Sequence, residues 1–151
     1  MSECKKYDII MLYFNFYDKP CKGIPPLRKK RRTPWGKLLD KLDKMFRSNP
    51  DFNDKILYVA QWFVEYDEEC NTSWREIGLD INKKIIVKMP DERNYGFWLD
   101  TNMEFEDFKK ELGFQMITQE EFEDLWNSVY YDREIEKFKR VRNDGLTKDT
   151  N

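Results

Sequence analysis

KILYVAQWFVEY, residues 55–66, is the stretch whose reading decides the fold. Ile56, Tyr58, Ala60, Trp62 and Val64 recur at every second position, with Gln61 and Glu65 between them. That is the two-residue period of a β-strand. A strand so rich in apolar residues belongs at the centre of a sheet, where both neighbours and both layers cover it.

Working outward, residues 7–16 (YDIIMLYFNF) are β-branched and aromatic, lack Gly and Pro, and predict a second buried strand. Pro20, Gly23, Pro25 and Pro26 break it into a loop. Thr33-Pro34-Trp35 then reads as an N-cap with proline at the first helical position; Leu38, Leu39, Leu42, Met45 and Phe46 continue the helical spacing until Ser48-Asn49-Pro50. Downstream, residues 83–88 (KKIIVK) and 95–99 (YGFWL) are expected strands, joined as an antiparallel pair through the turn Pro90-Asp91-Glu92-Arg93-Asn94.

Two capping boxes, Thr101 to Glu104 and Thr118 to Glu121, open two further helices carrying Phe105, Phe108 and Leu112, and Phe122, Leu125, Trp126 and Val129. Gly113 stops the first, and the second bends or restarts after Tyr130. The order predicts one α+β domain over residues 1–142, a mainly antiparallel sheet of about four strands against about three helices, with 143–151 a flexible tail. Trp35, Trp62, Phe105, Phe108, Phe122, Leu125 and Trp126 are expected to share one core.

The composition narrows the chemistry. With 151 residues, 40% of them hydrophobic and 16% aromatic, the chain can bury a core. It contains no histidine, which removes Ser-His-Asp and Cys-His pairs and imidazole metal sites. Cys4, Cys21 and Cys70 are too far apart for a paired-thiolate motif, and Gly78, Gly96 and Gly113 are too isolated for a phosphate-cradling loop. The expectation is a protein that is not an enzyme and has no cofactor and no metal. No apolar run is long enough to span a membrane, and a reducing cytoplasm is the expected location.

Charge is unevenly divided. Residues 1–50 carry 13 Lys/Arg against 5 Asp/Glu, whereas residues 51–151 carry 14 against 24. The basic excess centres on Arg28, Lys29, Lys30, Arg31 and Arg32, which with Trp35 offer an alternative site for nucleic acid, or a loop that offsets the acidic body. Phosphate would be repelled by the remaining two thirds, so an acidic body is better suited to a basic protein partner. Glu65, Asp67, Glu68, Glu69, Asp80, Asp91, Glu92 and Asp100 could in principle work as acid and base, but their spacing matches no cation loop, and a solvated acidic face is the simpler reading.

The block Trp74-Arg75-Glu76-Ile77-Gly78-Leu79-Asp80, followed by the run from Pro90 to Met103 (PDERNYGFWLDTNM), resembles small bacterial proteins encoded beside polymorphic toxins, including the immunity proteins of contact-dependent growth-inhibition systems. The resemblance covers roughly residues 55–130, about half the chain, and carries over no individual functional residue. It implies a cytoplasmic, non-enzymatic protein that binds one toxin domain, a nuclease being the expected type, and blocks its active site. Dense carboxylates beside aromatics that no core stripe claims place the expected partner surface at Asp67, Glu68, Glu69, Trp74 and Arg75, at Asp91, Glu92 and Tyr95, and at Trp98.

Overall fold

The computed structural model describes residues 10–18, 48–95 and 104–141. In chain order its elements are β1 (Met11–Tyr17), α1 (Asn53–Ile56), β2 (Gln61–Asp67), β3 (Thr72–Leu79), β4 (Ile85–Met89), α2 (Phe105–Leu112), β5 (Gln115–Met116), α3 (Gln119–Asn127), β6 (Val129–Asp132) and β7 (Lys137–Arg140). Five strands form a sheet ordered β4-β3-β2-β1-β5, every neighbouring pair antiparallel, and β6 and β7 make a separate antiparallel hairpin. The class is α+β; three of the expected strands appear as β1, β2 and β4, and β3 and the short β5 join them in the sheet. The expected helix over 35–46, all but Tyr95 of the expected strand over 95–99, Trp35, Trp98, the basic cluster 28–32 and the tail 143–151 lie outside the described residues.

β2 occupies the centre of the sheet, as its sequence predicts, but it starts at Gln61 rather than Lys55. Residues 49–56 instead form turns in which the Asn53 N–H donates to the Asn49 carbonyl and the Ile56 N–H to the Phe52 carbonyl. Ile56, Tyr58 and Ala60 mimic a strand in sequence only because they happen to fall two apart.

Alternation along the strands sorts side chains onto two faces. Phe14, Phe16, Trp62, Val64 and Tyr66 join Val87, Met89, Phe52 and Val59 on one face, closed by Phe108 of α2. Tyr13, Ile77, Leu79 and Ile85 lie on the other, closed by Phe122 of α3 with Leu125 and Trp126 partly buried against it. The expected single core is therefore two, because α2 and α3 cover opposite faces of the sheet.

Two bulges interrupt the ladders of β3, one on β3 itself and one on β4. Glu65 faces Arg75 and Tyr66 faces Ser73, so Trp74 is the extra residue; Gly78 faces Val87 and Leu79 faces Ile85, so Ile86 is extra on β4. The segment around Trp74, read from sequence as loop, is thus strand from Thr72 onward. Between the bulges a Cβ on Gly78 would stand 2.7 Å from Val59 Cγ2 and 3.1 Å from Val87 Cβ, so only glycine lets β3 approach that layer.

The helix ends follow local chemistry. Thr118 caps α3: its Oγ1 accepts from the Glu121 N–H at 3.1 Å, and Glu121 Oε2 accepts from the Thr118 N–H at 2.7 Å. On α2 the box is displaced by three residues from the one expected, with Glu104 as N-cap and Asp107 as its reciprocal partner. Gly113 ends α2 in the left-handed region at φ 57°, as expected of a C-terminal glycine. Beyond α3 the chain does not restart a helix; it forms the β6–β7 hairpin, tied back by Lys55 Nζ donating to Tyr131 Oη and to the Glu136 carbonyl, each at 3.1 Å. No described helix is long and apolar enough to cross a membrane.

Gly78→Ala should destabilise the protein by about 1–3 kcal/mol through overpacking against Val59, and Val59→Ala in the same chain should recover part of that loss. Thermal denaturation of the single and double variants checks it; a wild-type melting temperature for Gly78→Ala would contradict the close approach.

Candidate functional site

The strand directions decide where the expected partner residues lie. β2 ends at Asp67, β3 begins at Thr72 opposite it, and β4 ends at Met89 opposite Glu76. The β2–β3 turn and the turn after β4 therefore emerge at the same end of the sheet. Each is tied to a different part of the fold.

At the β2–β3 turn, Asp67 is 1% exposed, and its Oδ1 accepts the N–H groups of Glu69 and Cys70, both at 3.0 Å. The Cys70 N–H is the main reason that its carboxyl is held below the usual carboxylate range; Glu69 N–H and the Trp74 side chain add to it. Asp67 is consequently a framework residue rather than a contact residue. The Cys70 thiol, hydrogen-bonded to this carboxylate, is pushed up. Glu68 and Glu69 stand exposed on the turn, and Trp74, at 47% exposure, leaves a large aromatic surface open beside it.

Arg75 does not extend into solvent with its neighbour. Nη2 donates to Glu65 Oε1 at 2.8 Å, Nε pairs with Glu65 Oε2, Nη1 donates to Glu123 Oε2 at 3.2 Å, and Nη2 also pairs with Glu123 Oε1. Its Cζ lies 5.0 Å from the ring centres of both Phe122 and Trp126. Tyr13 Oη donates to the same Glu65 Oε1 at 2.9 Å. Burial and then the hydrogen bond to Glu65 raise the Tyr13 phenol to about 12; hydrogen bonding to Glu65 first raises Arg75, and Arg75 in turn lowers Glu123. Lys88, on the same face, donates to the Val129 carbonyl at 3.2 Å with Nζ 4.4 Å above Trp126, and burial lowers its pKa. Sequence reasoning places Arg75 among the partner contacts; the structure makes it an internal clamp from β3 to α3. Sequence reasoning passes over Glu123, although its place beside Phe122 on the sheet-facing side of α3 is an available signal.

The turn after β4 is equally committed. Asp51, buried, accepts from Arg93 Nε at 2.9 Å and Asn94 Nδ2 at 3.0 Å, while its own N–H donates to Asn94 Oδ1 at 3.0 Å. Asp91 bridges to Asn94 and is raised chiefly by burial. Glu92 pairs with Arg133 of the β6–β7 turn. Tyr95, at 70% exposure, is the open aromatic here. Asp80, an acid-base candidate by sequence, spends Oδ1 on the N–H groups of Asn82 and Lys84. Among the described residues no three His, Cys, Asp or Glu side chains are arranged to hold a metal ion.

The geometry thus sorts the expected surface. Glu68, Glu69, Trp74 and Tyr95 are presented outward, Asp67, Arg75 and Asp91 hold the presenting loops in place, and Glu92 is exposed while paired with Arg133. Comparisons with protein-family models, curated proteins and solved structures found no match to the chain.

Because Arg75 depresses Glu123 below its ordinary 4.5, the stability this carboxylate adds is present above that pH and is lost as pH falls through the folded-state value. Glu123→Gln should therefore cost about 0.5–1 kcal/mol at pH 7, with the gap to wild type closing below pH 4.5. Urea unfolding across pH 7 to 3 measures it; a gap independent of pH would contradict the assignment.

Proposed function

We propose that this chain is a binding protein, without catalysis of its own, that neutralises one bacterial toxin domain by covering its active site. The observation that carries the reading is the half-exposed Trp74 on a bulge at the end of the central strands. An aromatic of that size, left open while the residues on either side are fixed, costs little ordering entropy when a partner closes over it. Tryptophan is among the residues that dominate binding energy when buried at an interface.

The exposed carboxylates of Glu68 and Glu69 supply the second element. Their field favours encounter with a basic surface, as a nuclease domain presents, and on a rim they act on association rate more than on residence time. The turn itself is rigid, since Asp67 spends its carboxylate on holding it. Resemblance to immunity proteins supplies the partner class and a cytoplasmic site of action.

The test is protection. A large secreted protein with a variable C-terminal domain should be encoded beside the chain, and co-expression should rescue a bacterial host from that domain. Trp74→Ala should weaken binding at least tenfold, mainly through faster dissociation, and reduce rescue; Glu68→Lys with Glu69→Lys should slow association, most at low salt. Absence of rescue by the wild-type chain, or unchanged kinetics in both folded variants, would overturn the proposal.

A further inference from the structure

Trp74 stands outside the ladder because of where the bulge sits, and in that place its side chain hydrogen-bonds to Asp67. Moving that bulge one residue along β3 would set Trp74 opposite Glu65 and leave Arg75 as the extra residue. Both arrangements keep Ser73 opposite Tyr66 and Glu76 opposite Val64, so the rest of the sheet is indifferent to the choice. The two differ in which side chain enters the face beneath α3. In the observed arrangement it is the Arg75 guanidinium, met by Glu65, Glu123, and the rings of Phe122 and Trp126. In the shifted one it would be an indole, and the mostly buried Glu65 would lose its cation, an expensive outcome in that setting.

We infer that Arg75 is a positioning residue for Trp74: its ion pairs with Glu65 across the strands pin the bulge and so keep the Trp74 ring on the open surface. Glu65 is the decisive partner because it lies directly opposite on β2, whereas Glu123 fastens the same guanidinium to α3. Tyr13, Lys88 and Asp67 are further titratable groups on this face, and none offers Glu65 a replacement cation: Tyr13 is already its neutral donor, Lys88 Nζ is engaged at the Val129 carbonyl, and Asp67 is itself an acid that accepts from the Glu69 and Cys70 N–H groups. The value of Trp74 to a partner rests on the function proposed above, but its placement does not.

The experiment therefore uses the full chain with no partner. Indole ¹⁵N labelling gives the Trp74 Nε1–H resonance, assigned by its loss in Trp74→Phe. Arg75→Met and Glu65→Gln should each move that resonance or split it in two, while Glu123→Gln, which leaves the cross-strand pair intact, should leave it in place although it too lowers the melting temperature. Arg75→Lys, with a single ammonium in place of the fork, serves if Arg75→Met does not fold, and should also split the resonance. An unmoved Trp74 resonance in the folded Arg75 and Glu65 variants overturns the inference, and so does a shift of equal size in Glu123→Gln. Neither result depends on toxin binding, so failure here is separable from failure of the proposed function.

Discussion

A carboxylate in the middle of a strand that is covered on both faces is the constraint on which this structure turns. Glu65 sits between Val64 and Tyr66 on the central strand and is itself buried. Desolvating an ionised carboxylate is costly unless a cation and further donors replace water. The protein supplies Arg75 from the next strand and the Tyr13 hydroxyl from the strand on the other side. One glutamate thereby ties three strands together through side chains as well as through the ladder.

That pair makes the two faces of the sheet unlike. One face is mainly an aromatic layer, with Phe14 and Tyr66 in contact with Phe105 and Phe108 of α2 at ring separations of 5.7 to 5.9 Å, and the buried Glu76 on it is met by the Ser73 hydroxyl at 2.7 Å. The other face has a charged seam, and α3 is held on it by Glu123 and by two rings flanking the guanidinium as well as by the buried Phe122. The bulge that sets Arg75 opposite Glu65 is the one that leaves Trp74 without a partner in the ladder. Internal charge pairing and surface presentation are thus two results of one backbone irregularity.

The parts legible in the sequence are those encoded locally. Alternation around Trp62 and Val64 marks the central strand, and the reciprocal Thr118–Glu121 box marks the start of α3, since both depend on neighbours in the chain. β3 is obscured because its bulge at Trp74 breaks the two-residue period, because Gly78 contributes no side chain to the pattern, and because Glu76 occupies a buried position. The β6–β7 hairpin is obscured by continuity with α3, its single strong apolar residue on β7, Phe138, being too little to announce a strand. At the surface, the density of carboxylates is legible, but their allocation is not. Asp67, Glu92 and Arg75 look the same in sequence as Glu68 and Glu69, and only tertiary pairing separates groups already engaged from groups still open.

The central claim, that one arginine serves two carboxylates at once, is tested most directly by a double-mutant cycle on stability between Glu65→Gln and Glu123→Gln. Either change alone leaves Arg75 one carboxylate; both together leave a half-buried guanidinium with none. The account predicts that the double variant loses at least about 0.5 kcal/mol more than the two single losses combined. Additivity within about 0.3 kcal/mol would contradict it, and would mean that the strands and the helix are held independently.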